Sequence, residues 1–93
     1  MIIIAGHSRA RDVIERDAAV AAFVSMVERA RAQDGCLDMA ISADSVDAER
    51  VNILECWRDQ AALDAWRKIA RGPRVSLKQP QVKLYRTEEA EKP

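Results

Sequence analysis

Aromatic side chains are scarce in this chain, which has two Trp, one Tyr and one Phe among 93 residues, and it carries only one His and two Cys. A single His cannot complete a Cys/His metal set. Cys36 and Cys56 match neither a C-x-x-C redox pair nor a zinc spacing, so both are expected to be buried, reduced thiols. Net charge is lacking too: fifteen Lys plus Arg balance fifteen Asp plus Glu, and the signs alternate rather than forming a block. That excludes the electrostatic footprint of a protein that binds nucleic acid or a membrane surface. No run approaches the ~18 apolar residues that span a bilayer, and Met1-Ile2-Ile3-Ile4-Ala5-Gly6 lacks the basic start and long apolar stretch of a secretory signal. A cytoplasmic protein is expected, with one domain over residues 1–87 and a charged, disordered tail at 88–93. A chain this short buries roughly 60–65% of the surface its unfolded form exposes, so its core is modest and a second subunit would help it.

What is present is organised by period. Residues 2–8 read as a strand apolar at both parities until His7. A helix follows, starting between Asp12 and Asp17 and ending near Gln33, because Val20, Phe23, Val24, Val27 and Ala30 recur with helical spacing. Gly35 suits its left-handed stop. Cys36 to Ala43 alternates as a strand with Leu37, Met39, Ile41 and Ala43 on one side, and Asp44 to Glu49 is a polar turn before the strand Val51–Trp57. Asp59 is placed to cap a second helix whose inward stripe is Ala62, Leu63, Trp66, Ile69 and Ala70, with Asp64 and Lys68 paired outside. Gly72-Pro73 ends it. Residues 74–81 read as an irregular connection and Val82–Arg86 as a last strand.

The order β-α-β-β-α-β with right-handed crossovers implies a ferredoxin-like α+β fold: a four-stranded antiparallel sheet with two helices on one face. Strands one and three are largely apolar at both parities, so the helix-free face is too apolar for water and is expected to be covered by a second copy.

Gly35-Cys36-Leu37, the polar hairpin, and Ile53-Leu54-Glu55-Cys56-Trp57 followed by Asp59-Gln60-Ala61-Ala62-Leu63 resemble the antibiotic biosynthesis monooxygenase family over roughly residues 2–86. The resemblance implies a homodimeric α+β barrel with a ligand cavity between sheet and helices. It also implies oxidation of a small phenolic, quinol or polyketide-type aromatic by O2 without flavin, haem or metal. Relatives with the same fold degrade haem, and others have no assigned activity.

Oxygenation without a cofactor needs an electron-rich anion in a dry pocket, hence a base or a hydrogen-bond donor. His7, the one side chain that titrates near neutrality unperturbed, is the candidate; a strand-end His bonding solvent or a carbonyl is its structural alternative. Trp57 and Trp66 are candidate aromatic walls, or core filling. By the resemblance, Trp57 stands where some members line the cavity and Trp66 where haem-degrading relatives carry a Trp. Glu55 shares the parity of Trp57 and is expected to form an ion pair with Arg67 or Arg86, or to act as a base. Tyr85 offers a phenol from the last strand, or packs. Against the family pattern, His7 replaces an Asn of the haem-degrading members and Ser76 replaces their axial His. Asn52 has the opposite parity to the Asn that polyketide-oxidising members use. A non-catalytic module that binds a small aromatic, or a structural dimer, is the alternative function, with haem binding a third.

Overall fold

The structure, a computed structural model covering Met1–Pro93, runs β1 (Ile2–Arg9), α1 (Val13–Arg31), β2 (Cys36–Ala43), β3 (Arg50–Trp57), α2 (Gln60–Ile69) and β4 (Lys78–Arg86). The strands form one antiparallel sheet in the order β2-β3-β1-β4, the ferredoxin-like arrangement expected from the element order. Both helices start where an aspartate can satisfy an orphan amide. The Asp12 carboxylate accepts from the Glu15 N–H at 2.8 Å and the Asp59 carboxylate from the Ala62 N–H at 2.8 Å.

Antiparallel pairing determines which side chains share a face. Ile2 lies opposite Trp57, Ile4 opposite Glu55, Gly6 opposite Ile53 and Ser8 opposite Val51; Met39 in turn faces Glu55. This is the helix side, and it holds the core: Ile2, Ile4, Met39, Trp57, Ala62, Leu63, Trp66 and Ala30 are buried as one cluster. The other parity, Ile3, Ala5 and His7 on β1 with Cys56, Leu54 and Asn52 on β3, forms the helix-free side. Cys36 packs against the core cluster while Cys56 lies opposite Ile3, so the two free thiols are on different faces of the sheet. Burial, above all, pushes both thiols up, which keeps them protonated near neutrality.

Two arginines of α1 fasten it to the hairpin beneath. Arg31 Nε donates to the Met39 carbonyl at 2.8 Å, and Arg16 donates to the carbonyls of Asp44 and Asp47 at 3.3 and 3.2 Å. Within the turn, the Asp44 carboxylate accepts from the amides of Val46 and Asp47 and from Asn52 Nδ2. These bonds hold its pKa down at about 2. Two glycines are obligatory. Gly35, at φ +82°, has Ala62 Cβ 2.4 Å from where its own Cβ would sit, and at Gly6, φ +157°, a Cβ would lie 1.9 Å from the Gln81 carbonyl oxygen.

The structure corrects several details. β4 begins at Lys78, four residues before the expected Val82, with Gln79 at φ +48° and a register shift against β1 between His7 and Arg9. Pro80 is tolerated because β4 is an edge strand. Ile69 and Val24, expected to face inward, are 53% and 52% exposed, because α2 ends at Ile69 and Val24 falls at the margin of the α1 stripe. Asp64 accepts from Gln60 Nε2 at 2.8 Å and makes no ion pair with Lys68.

Candidate functional site

The five residues singled out from the sequence do not converge. Glu55, Trp57 and Trp66 stand on the helix side; His7, opposite Asn52 and Gln81, and Tyr85, opposite Ile3, stand on the helix-free side. The sheet separates the two groups.

On the helix side the tryptophans form one unit. Their rings stack with centroids 6.1 Å apart and planes 24° from parallel, joining α2 to β3. Trp57 is wholly buried and Trp66 is 4% exposed. Trp57 Nε1 donates to Glu55 Oε1 at 3.0 Å. That bond, rather than the expected ion pair with Arg67 or Arg86, is the polar partner of Glu55 in the chain. It answers two needs at once, since a buried indole N–H wants an acceptor and a half-buried carboxylate wants a donor.

On the helix-free side, His7 is half-buried and its Nδ1 is buried without a hydrogen-bond partner. Its row of the sheet is polar, with Asn52 on one flank and Gln81 on the other; the next rows carry Ala5 between Leu54 and Lys83, and Ile3 between Cys56 and Tyr85. Asn52 is engaged on its far side: it donates to Asp44 Oδ1 at 2.9 Å and accepts from Arg50 Nε at 2.7 Å. Tyr85 is 52% exposed.

The roomiest cavity is elsewhere on the helix side. A cleft of about 370 Å³ runs between the first half of α1 and the connection after α2, lined by Ala18, Ala19 and Ala22 with Glu15 on one wall and by Arg74, Val75 and Ser76 on the other. Alanine at three positions of one helix face leaves the backbone itself as a smooth floor. Glu15 is occupied by Arg11, whose Nη2 donates to its Oε1 at 2.6 Å. Arg74 makes neither a hydrogen bond nor an ion pair within the chain. A second, smaller cleft of about 260 Å³ lies between α1 and the outer edge of β2, among Val20, Val24, Val27 and Ile41.

The cleft beside Arg74 was not legible in the sequence. Its walls come from positions some fifty to sixty apart, and no periodicity links an alanine face of α1 to an irregular connection. The one hint was Ser76, the position where the family resemblance puts an axial His in haem-degrading relatives; it lines this cleft.

Comparison with known proteins bears on the fold and on the family. The family model described as antibiotic biosynthesis monooxygenase matches residues 14–70. A comparison with curated proteins finds no match. Among solved structures, the chain is similar to a Deinococcus radiodurans protein provisionally named an antibiotic biosynthesis monooxygenase, at TM-score 0.73 and 20% identity, covering 99% of this chain and 97% of that one. It is similar to a conserved protein from Methanosarcina mazei Go1 at TM-score 0.71 and 17% identity, covering 94% and 92%. A Pseudomonas aeruginosa protein matches at TM-score 0.68 and 26% identity, covering 94% and 93%.

Proposed function

The chain belongs to the antibiotic biosynthesis monooxygenase family, and from that premise we propose that it is a cofactor-independent monooxygenase that oxidises a small phenolic, quinol or polyketide-type aromatic with O2. The observation that carries this reading is the cleft between α1 and the 74–76 connection, whose volume of about 370 Å³ suits a ligand of one or two rings. Small-molecule sites run from roughly 300 to 1,000 Å³ and are mostly apolar with a few polar groups. The alanine face of α1 and Val75 supply the apolar walls, and Arg74 and Ser76 the polar groups.

The chemistry asks little of the protein. An anthrone-type substrate meets O2 as its carbanion or enolate, its methylene carbon becomes a carbonyl, and the second oxygen leaves as water. The substrate supplies all the electrons, so the chain needs only to favour the anion and exclude bulk water. Trp57 and Trp66 serve by seating α2 on the sheet, which fixes where the connection bearing Arg74 begins, and Glu55 serves by holding the Trp57 indole. A homodimer closed over the helix-free face belongs to the same reading, because Ile3, Ala5 and Leu54 form an apolar patch there. In that assembly His7 and Tyr85 lie between the two sheets, where His7 acts as base or hydrogen-bond donor only toward a substrate that reaches the interface.

The test is oxygen consumption by metal-stripped protein, with chelator present, against hydroquinones, naphthoquinols and anthrones, each corrected for spontaneous autoxidation. A protein-dependent rate is expected; binding with no rate from any substrate overturns the oxygenase reading. The alternative, a non-catalytic module that binds a small aromatic, is favoured by the separation of His7 from Trp57 and Trp66 by the sheet. Haem binding has less support, since the residue in the cleft at the family's axial position is Ser76, which offers no imidazole.

A further inference from the structure

Of the chain's arginines, most are committed. Arg9 and Arg58 hold carboxylates, Arg11 holds Glu15, Arg16, Arg29, Arg31 and Arg71 hold backbone carbonyls, and Arg50 holds Asn52 and Asp44. Arg67, Arg74 and Arg86 make no such contact, and among these three only Arg74 lines a cavity. The negative group that shares its cleft, Glu15, is paired with Arg11 at 2.6 Å, a guanidinium that Asp12 also approaches at 3.8 Å. The cleft therefore presents one guanidinium without a partner in the chain beside an apolar floor.

We propose that this cleft selects a planar aromatic oxyanion, with the ring lying on the Ala18, Ala19 and Ala22 face and the phenolate or carboxylate paired with the Arg74 guanidinium. The inference rests on the reading of the cleft as the substrate site and adds to it a charge requirement and a residue that sets it. Guanidinium suits the task for two reasons. Its planar fork donates two parallel hydrogen bonds to a carboxylate or one charge-assisted bond to a phenolate, and its face stacks on an aromatic ring. Val75 and the alanines remove water from one side of the pair, which strengthens it modestly compared with one surrounded by water. Arg74 also lowers the pKa of a bound phenol, because a nearby positive charge favours the ionised form. That is the form an O2 reaction without a cofactor consumes. Arg74 acts in this way by touching the substrate, and Ala22 acts by leaving room for it.

The test is calorimetric titration of the full chain with hydroxynaphthoate and with the methyl ester of methoxynaphthoate, which carries neither a carboxylate nor an ionisable hydroxyl. Arg74→Gln and Ala22→Leu change exposed positions, so both variants are expected to fold as the wild type does, which circular dichroism checks. One-to-one binding of hydroxynaphthoate to the wild type is expected, weakened about tenfold or more by Arg74→Gln and partly restored in Arg74→Lys. The ester should bind wild type and Arg74→Gln alike, and Ala22→Leu should weaken both ligands. Equal binding of acid and ester to the wild type, unchanged acid binding in Arg74→Gln, or no binding of the acid overturns the proposal. The two readings fail separately. Arg74-dependent binding without oxygen use leaves this inference standing and removes the oxygenase, whereas oxygen use that ignores Arg74 does the reverse.

Discussion

The indole N–H of Trp57 donates to the Glu55 carboxylate at 3.0 Å from two positions along the same strand, on the side of the sheet that α1 and α2 cover. The Glu-x-Trp spacing thus has a physical meaning: period two puts both side chains on one face, and the acid is the acceptor that a wholly buried tryptophan requires. Glu55→Gln keeps a carbonyl oxygen in reach and is expected to unfold at nearly the wild-type urea concentration. Glu55→Leu leaves the indole N–H without an acceptor, and a loss of about 1–3 kcal/mol in urea unfolding is expected.

Trp66 closes the other half of that unit, stacked on Trp57 at 6.1 Å. Its removal opens a void between α2 and β3 that neighbouring Leu63 and Ala62 are too short to fill. Trp66→Ala should cost about 3–5 kcal/mol by chemical denaturation. Because α2 carries the connection to Arg74, ligand binding in the cleft should weaken with it, while Trp66→Phe should retain most of both.

Gly6 allows β4 to lie against β1. With any side chain there, the Cβ would meet the Gln81 carbonyl at 1.9 Å, and backbone cannot step aside as a flexible side chain can. Gly6→Ala is therefore expected to release β4 selectively: amide exchange should quicken across residues 81–86 while the β2–β3 hairpin stays protected. Uniform loss of protection would show instead that β4 is required for the whole sheet.

Acid stability should depend on the hairpin and on the second cap. The Asp44 carboxyl is held down to about 2 chiefly by its bond from Asn52, Asp47 is lowered chiefly by Arg9, and Asp59 chiefly by the Ala62 amide. In each case the folded pKa lies below the unfolded value, so the unfolded chain binds more protons as pH falls. The stability these groups contribute is complete above about pH 5 and is lost as pH drops to about 2 and below. Urea midpoints measured from pH 5 to pH 2 should fall steeply for the wild type. Asp44→Asn should start lower at neutral pH and fall less steeply, because the variant has no proton to take up at that site.

The helix-free face gives a fifth expectation. Leu54 sits at its centre, between Ala40 and Ala5 on the neighbouring strands. In the proposed homodimer a charge there is desolvated without a partner, so Leu54→Asp should sediment as one chain at concentrations where the wild type sediments as two. A single-chain mass for the wild type itself would remove the dimer.

How far the sequence can be read is clearest at β1. Its residues announce a strand covered on both faces, but Ile2 and Ile4 are no more apolar than Ile3 and Ala5 are buried-looking. Nothing local tells which parity meets the helices. The register Ile2 opposite Trp57 decides it, and with it sends His7 to the face away from both tryptophans. Likewise Lys78-Gln79-Pro80-Gln81 shows no alternation, and it becomes strand only because β1 supplies a ladder of hydrogen bonds beside it.

The sequence by itself determined the elements, their order and hence the fold: period-two runs, helical spacing, two aspartate caps and a glycine stop are local signals, and the energies behind them act between residues a few positions apart. Tertiary structure alone decided which residues meet. It split His7 and Tyr85 from Glu55, Trp57 and Trp66, gave the Trp57 indole rather than an arginine to Glu55, and brought Arg74 across from the alanine face of α1. Those outcomes depend on strand register and on the path of a connection, which are settled by packing between segments tens of residues apart and leave no periodic mark on the chain.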